Sequence, residues 1–528
     1  MKQAESLPGL LSRLAAEQPH DIALVDGSRS VNFKELEEEV SRVAAGLASI
    51  GITKGDRIAV WLPNGIPMAA LVFGAARLGA ISVIVNTRYQ KTELEGLLKR
   101  TRAKLLAIAA GFRGIPFLDI LSAVPAGSLS SLTHVVNCSI KPATAPVGET
   151  VSYSTLAATA PGALPPVDPA LPCAMFATSG TTRAPKLVMH CQRAIVQHGK
   201  DSGSALGYTD ADAVMLGALP LCGVFGFSQL MGALANGRPT ILMDAFNSSD
   251  ALELIERHKA THFNATDDMI VRILDEAKPG QLASLREVGF ASFSGTNAEA
   301  LVERAEREAG VILRGLFGMS ELQALFAAQP AGLPRLERAK PGGHPVSSEG
   351  RARVCDPETG AELPVGEMGA LQFRGPSQFV GYFEDPDATA AAVSEDGWFS
   401  AGDAGVMEPD GRFHFKGRMG DTMRLGGFLV SPREIEGVLE DHADVASAQV
   451  VGVQASDGPV AVAFVIAATG RTADPEALRA HCVAQLAKYK VPRLVLPVTE
   501  FATVTGPNGT KVQKQKLREM AEAALKGA

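Results

Sequence analysis

Residues 178–186 read Thr178-Ser179-Gly180-Thr181-Thr182-Arg183-Ala184-Pro185-Lys186, which is four hydroxyls, a glycine and a closing lysine within nine positions. Hydroxyls and free backbone N–H groups in such a loop donate to phosphate oxygens, and the ammonium group supplies compensating charge. Gly180 lets the backbone approach an anion because no Cβ stands in the way. The preceding Cys173-Ala174-Met175-Phe176-Ala177 reads as a buried strand, so the loop hangs from a sheet. The spacing is not Gly-x-x-x-x-Gly-Lys, which excludes a Walker A loop. Taken alone, the stretch also fits a polar turn joining two strands.

Outward from the loop the chain alternates between strand and helix. Leu36, Val40, Val43, Ala44 and Leu47 share one face of a helix predicted over 33–50, which Gly51 ends. Strands are predicted over 57–62, 80–85 and 104–109, with helices over 68–78 and 93–102 between them. The rhythm returns on the other side of the loop, with strands over 212–219, 240–243, 262–264 and 287–292 and helices over 227–236, 250–258 and 269–276. This predicts an α/β fold with two sheet-building halves and a largely parallel sheet. Residues 352–417 change to short strands and glycine turns, a β-rich subdomain. After Arg418 a compact α+β module follows, with helices over 432–439 and 474–486 and strands over 445–453 and 460–467.

The chain has 528 residues, too many for one core. Its 50 basic and 57 acidic side chains give a formal charge of −7, which argues against electrostatic nucleic-acid binding. The six cysteines are scattered, without a Cys-x-x-Cys pair, as expected for reduced thiols in a cytoplasm. Residues 1–6 lack the apolar core of a signal peptide. The greasiest segment, 68–85, carries Arg77 at its centre and falls short of a membrane span; a buried helix followed by a strand is expected there.

Four further motifs follow the loop in order: Leu316-Phe317-Gly318-Met319-Ser320-Glu321; Gly397-Trp398-Phe399-Ser400-Ala401-Gly402-Asp403; Gly417-Arg418, opening a run through Gly426-Gly427 to Glu436; and Gly509-Thr510-Lys511-Val512-Gln513-Lys514. Together with the loop they resemble the adenylate-forming superfamily of acyl-CoA ligases, adenylation domains and beetle luciferases, from about Phe33 to Arg518. The resemblance implies a large N-terminal domain, 1–419, and a small mobile C-terminal domain, 420–528. It also implies a reaction: a carboxylate attacks the α-phosphorus of ATP, releasing pyrophosphate, and a thiol, usually coenzyme A, then displaces AMP.

The roles that follow are implied by the same resemblance. Thr178, Ser179, Gly180, Thr181, Thr182 and Lys186 would cradle the β- and γ-phosphates, and Ser294, Gly295 and Thr296 would join the nucleotide site. Glu321 would ligate Mg²⁺, a hard cation that takes oxygen ligands. Ser320 would help to hold the α-phosphate, beside Gly318. Phe317 stands where tyrosine is usual against adenine, which removes one neutral hydrogen bond worth about 0.5–1.5 kcal/mol. Asp403 would accept both ribose hydroxyls and Arg418 would contact ribose and phosphate. Lys511 would bridge the attacking carboxylate and the α-phosphate as a point charge, whereas Lys514, three residues on, is off the motif. Gly426 and Gly427 match the face that forms a thiol tunnel. The pivot position falls on Gly420, where Asp or Lys is usual and where glycine absorbs backbone rotation freely.

Leu219-Pro220-Leu221-Cys222-Gly223-Val224-Phe225-Gly226 matches the segment that opens the acyl pocket, with Cys222 in place of the more common aromatic or His. Leu316 and Met319 are further pocket candidates. Asp267, in an unusual Asn264-Ala265-Thr266-Asp267-Asp268 run, either faces a polar substrate group or caps the helix expected from about Met269, and the cap is favoured. Arg183 and Thr510 stand where glycine is common. A free-standing acid:CoA ligase is the expected function, since the tunnel glycines are present and no carrier domain follows residue 528. The alternatives are an adenylation enzyme loading a carrier protein in trans and a non-catalytic nucleotide-binding protein; nothing asks for luciferase-like oxidation. Gly223, Gly226 and Ser228 suggest room for a medium acyl chain or an aromatic ring. A homodimer is compatible with the sequence.

Overall fold

The computed structural model describes residues 4–178, 186–292, 297–425, 428–455, 458–486, 488–506 and 509–527, with the backbone alone at 424, 428–429, 504–506, 509–511 and 527. Contacts divide the chain into two compact units, Met1–Gly350 with Gly375–Ala391, and Arg351–Arg374 with Ala392–Ala528.

The first unit is built on two sheets, the α/β pattern expected from the alternation. One has the strand order Gly381–Tyr382, Leu187–Cys191, Pro172–Ala177, Ile81–Ile84, Arg57–Trp61, Leu105–Ile108, His134–Asn137, Glu149–Ser152. From Pro172–Ala177 outward its neighbours run parallel. Leu187–Cys191 and Gly381–Tyr382 extend it antiparallel. Strand Ile81–Ile84 is wholly buried and Arg57–Trp61 nearly so, the composition of a sheet covered on both faces. The other sheet has a parallel centre, with Ile312–Phe317, Glu287–Ala291, His262–Thr266, Met215–Gly217 and Thr240–Leu242 side by side.

Helix Phe33–Ser49 buries the predicted face, and a reciprocal Asn32–Glu35 capping box starts it. The greasy segment is a helix, Ile66–Arg77, followed by the strand Ile81–Ile84. No helix among the described residues is long and apolar enough to cross a membrane. Helix Val224–Ala235 is buried continuously from Gly226 to Ala235. Phe227, Leu230, Met231 and Leu234 pack into the core of the first sheet, while Phe225 packs on cores of the second. A helix shared by two sheets must be apolar all round.

Its neighbour, helix Gln192–Ala205, lacks a legible apolar stripe, because its buried face is Gln192, His198, Gly199, Ser202 and Gly203 among others. Small residues are required there. A Cβ on Gly199 would lie 2.6 Å from the Met231 carbonyl oxygen, and one on Gly203 would lie 2.5 Å from that of Gly232. The strand expected over 212–219 shortens to Met215–Gly217, since Ala213 N–H turns back to the Asp210 carbonyl.

In the second unit, Arg351–Cys355, Gly369–Arg374, Phe399–Met407 and Phe413–Arg418 are consecutive antiparallel neighbours. After them come the hairpin Met423–Leu425/Phe428–Val430, helix Pro432–Glu440, the three-stranded sheet Val445–Ala455, Gly458–Ala467, Leu494–Pro497, helix Pro475–Gln485, the ribbon Thr503–Gly506/Gly509–Val512 and helix Lys514–Gly527. This is the expected α+β texture.

Burial also sets a pH dependence. His198 is held at about 3 by burial and by neighbouring His190, and His190 at about 4 by burial. An imidazole in the unfolded chain titrates near about 6.5. Between that value and the folded values the unfolded chain binds protons that the native state cannot, so stability is fully present above pH ~6.5 and falls as the pH drops below it. Calorimetric unfolding at pH 7, 6 and 5 should show a falling Tm, with a shallower slope in His198→Leu.

Candidate active site

Strands Pro172–Ala177 and Leu187–Cys191 form a hairpin whose connection is the hydroxyl-rich loop. Thr178 N–H donates to the Lys186 carbonyl at 2.9 Å, closing the neck. Ser179, Gly180, Thr181 and Thr182 lie outside the described residues, as do Ser294, Gly295 and Thr296. Lys186 emerges exposed from the neck, its Nζ 4.4 Å from the centroid of the Tyr382 ring.

The second motif follows strand Ile312–Phe317. Gly318 is dictated by space: a Cβ there would sit 1.2 Å from the Ala324 carbonyl oxygen. The short 3₁₀ turn Ser320–Leu322 then runs into two residues with left-handed backbones, Gln323 (φ 58°) and Ala324 (φ 57°). Hydrogen bonds that hold this turn include Ala324 N–H to Met319 O at 2.8 Å, Ser228 Oγ to Gln323 O at 2.7 Å, and Gln323 Nε2 to Ser377 O at 3.2 Å. His190, fully buried on the strand leaving the loop, donates from Nε2 to the Ser320 carbonyl at 2.8 Å. The turn therefore presents Glu321 to the same tyrosine that Lys186 approaches, and Tyr382 O–H donates to Glu321 Oε1 at 2.8 Å. Glu321 Oε2 has no partner among the described residues. Phe317 ends the strand, only 8% exposed.

Among the described residues no three His, Cys, Asp or Glu side chains form a metal cage. One carboxylate with an oxygen unpartnered among the described residues, on the turn whose Tyr382 contact also meets Lys186, suits Mg²⁺, which binds through one or two carboxylates plus substrate phosphates and waters.

The acyl-pocket candidates cluster at the start of helix Val224–Ala235. Gly223 is its N-cap, and a Cβ on Gly226 would meet the Pro220 carbonyl oxygen at 2.4 Å. Phe225 packs on the cluster containing Leu316. A Cβ on Gly289 would strike Leu316 at 2.7 Å, so that wall is already full. Met319, half-buried, opens the Ser320 turn. Burial pushes the Cys222 thiol up to about 11, so it is protonated at neutral pH and serves as packing rather than as a nucleophile.

The capping role expected for Asp267 is not what is found. Thr266 occupies the N-cap position, the helix is Asp267–Glu276, and Asp267 is its first residue, fully buried and accepting from Ser292 Oγ at 3.0 Å. Its strand, His262–Thr266, simply runs two residues further than the apolar pattern indicated.

In the second unit, Asp403 and Arg418 face each other across antiparallel strands and form an ion pair at 2.9 Å, with Asp403 almost fully buried. Gly420 follows, and a Cβ there would meet nothing within 4 Å. Immediately after that residue's torsions the chain is anchored, because Arg518 Nη2 donates to Gly420 O at 3.0 Å and to Asp421 Oδ1 at 2.7 Å. Gly426 and Gly427 lie outside the described residues. Lys511 is on the ribbon strand Gly509–Val512, and its side chain lies outside the described part. Lys514 has a structural assignment: Nζ bonds Glu436 Oε1 at 2.7 Å and Val450 O at 3.2 Å, and Glu436 is 3% exposed.

Two residues of this constellation went unremarked in the sequence, Tyr382 and His190. Gly381-Tyr382-Phe383 and Met189-His190-Cys191 are short aromatic or polar interruptions in apolar strands, which was the available signal.

These arrangements describe an α/β protein with a hydroxyl-rich hairpin connection and an α+β module that follows it. The chain belongs to the AMP-binding enzyme family, which residues 11–383 match, with residues 434–505 matching the family's C-terminal domain. It is 31% identical to the 2-succinylbenzoate–CoA ligase of Geobacillus kaustophilus, over 94% of this chain and 95% of that one. It is 30% identical to the sulfoacetate–CoA ligase of Cupriavidus necator, over 97% of each. A crystal structure of the anthranilate CoA ligase AuaEII in complex with anthranoyl-AMP matches with a TM-score of 0.83 at 25% identity, covering 99% of this chain and 98% of that one.

Lys514→Ala should lower stability by about 1–3 kcal/mol, because among the described residues it leaves the buried Glu436 carboxylate with only its Val450 N–H and Arg433 partners. Urea titration checks this. Gly318→Ala should fail to give soluble, folded protein, read by expression yield and circular dichroism.

Proposed function

We propose that this protein is an ATP-dependent carboxylic acid:CoA ligase acting through an acyl-adenylate. The observation that carries the reading is the convergence of Lys186 and Glu321 on one side chain, Tyr382, at the neck of the hydroxyl-rich hairpin, a cation and a carboxylate near where a polyphosphate would lie. The CoA ligases among its relatives support the same chemistry.

In the first half-reaction a carboxylate oxygen of the acid forms a bond to the α-phosphorus of ATP, and the bond from that phosphorus to the pyrophosphate oxygen breaks. Thr178, Lys186 and the loop between them hold the β- and γ-phosphates, and Phe317 covers adenine. Asp403, released from Arg418, accepts the ribose hydroxyls, a two-point contact that a carboxylate alone offers. Lys511 brings positive charge to the carboxylate and the α-phosphate as negative charge builds up between them. Mg²⁺ held by Glu321 would neutralise phosphate charge when bound. In the second half-reaction the coenzyme A sulfur attacks the acyl carbon, its proton is lost and AMP leaves as the anhydride bond breaks. Gly426 and Gly427 leave room for the pantetheine arm.

We assign the functional division to 1–419 and 420–528, with Gly420 as pivot. Anchoring of Gly420 O and Asp421 to Arg518 supports this, since the torsions of residue 420 are the last before the clamped segment. Six free cysteines support a reducing, cytoplasmic setting.

Acid-dependent exchange of pyrophosphate into ATP tests the adenylation step, and thioester formation with free coenzyme A tests the second. Adenylation without discharge by free coenzyme A would shift the acceptor to a carrier protein. Lys511→Ala should lower exchange on the order of 10²–10³-fold while sparing thioester formation from supplied acyl-AMP. Gly420→Pro should slow one half-reaction and spare the other; equal rates in both would refute the pivot.

A further inference from the structure

Tyr382 lies on the two-residue strand Gly381–Tyr382, paired antiparallel to Leu187–Cys191 with Tyr382 opposite Val188. That pairing returns a distant segment to the strand leaving the phosphate-type loop. The segment is shaped for it. Gly381 has φ +145°, Tyr382 N–H donates to Thr389 Oγ1 at 2.9 Å, and Thr389 Oγ1 donates to Asp385 O at 2.9 Å. Phe379 packs at 4.8 Å against the Tyr382 ring, which leaves the residue 6% exposed. Two functional groups then meet one side chain: the phenol donates to Glu321 Oε1 at 2.8 Å, and the ring face carries Lys186 Nζ at 4.4 Å.

We propose that Tyr382 is a positioning residue for phosphate and metal binding: its hydroxyl fixes one oxygen of Glu321 so that the other is offered to the cation, and its ring orients the Lys186 ammonium. The proposal rests on the reading of Glu321 as the Mg²⁺ ligand. Mg²⁺ tolerates little departure from octahedral geometry at short distances, so a carboxylate locked in a one-oxygen pose favours it over a freely rotating one. The ring acts on Lys186 through cation–π attraction, which orders a flexible four-carbon stem before any phosphate arrives.

The test is calorimetric titration of the full chain with ATP in Mg²⁺, ATP in EDTA and AMP, for the wild type, Glu321→Gln, Tyr382→Phe, Tyr382→Leu and the Glu321→Gln/Tyr382→Phe double variant, with Tm measured for each. Tyr382→Phe keeps the ring and should weaken ATP binding in Mg²⁺ by about tenfold, the value of a hydrogen bond to a charged group. Its binding of AMP and of metal-free ATP should stay unchanged. In the Glu321→Gln background, adding Tyr382→Phe should cost nothing further, because the hydroxyl works only through that carboxylate. Tyr382→Leu should additionally weaken metal-free ATP binding, through Lys186, and still spare AMP. Wild-type Mg²⁺ dependence in Glu321→Gln would overturn the reading of Glu321 itself. Loss in Glu321→Gln with wild-type affinity in Tyr382→Phe would overturn the role of Tyr382 alone, and so would equal losses for ATP and AMP, which mark a merely structural tyrosine.

Discussion

The turn from Gly318 to Ala324 is the constraint on which the first unit's chemistry depends. Strand Ile312–Phe317 must reverse within a few residues to pair antiparallel with Ala327–Ala328, Phe317 opposite Ala327. The reversal brings the Ala324 carbonyl against residue 318, where only glycine fits. It also forces Gln323 and Ala324 into the left-handed region, at about 1–2 kcal/mol each for residues bearing a Cβ. Hydrogen bonds from Ser228, from Ala324 N–H and to Ser377 offset that strain at about 0.5–1.5 kcal/mol apiece. Strain balanced this closely is typical of functional turns. The result is that Ser320 and Glu321 stand at a fixed place rather than on a loose loop.

The surroundings of that turn reinforce it from three directions. His190 holds the Ser320 carbonyl, Phe379 N–H donates to the Glu321 carbonyl at 2.8 Å, and Tyr382 holds the Glu321 side chain. His190 can do this only with a proton on Nε2, because the carbonyl accepts. Burial, which holds His190 at about 4, guarantees the neutral form at physiological pH. The buried ring thus holds a backbone carbonyl next to the candidate metal ligand.

Local patterns were legible and convergent ones were not. Helix Phe33–Ser49 could be read because its apolar stripe meets a core directly and a capping box marks its start. The strand leading into the hydroxyl-rich loop could be read from its apolar run. Helix Gln192–Ala205 could not, because close packing against Val224–Ala235 selects glycine, serine and histidine where periodicity looks for leucine. Asp267 was misplaced for a related reason: Thr266 takes the cap position without contributing a side-chain cap bond, so the helix begins two residues before its first apolar residue. Tyr382 had no legible role, because its partners Lys186 and Glu321 lie far off in sequence and meet it only through strand pairing.

The two lysines near the C-terminus show how a motif position and a structural position divide between similar residues. Lys514 opens helix Lys514–Gly527, and its ammonium reaches Glu436 and the Val450 carbonyl. Glu436 in turn accepts from Val450 N–H at 2.8 Å, so one buried carboxylate ties together helix Pro432–Glu440, strand Val445–Ala455 and the last helix. Lys511 belongs instead to a two-stranded ribbon, opposite Val504. A ribbon of that size has little stability of its own and takes its orientation from what anchors its ends. The Lys514–Glu436 pair is that anchor on one side of the ribbon. A charge swap at Lys514 would therefore disturb Lys511 through geometry, whereas a substitution at Lys511 leaves the anchor standing.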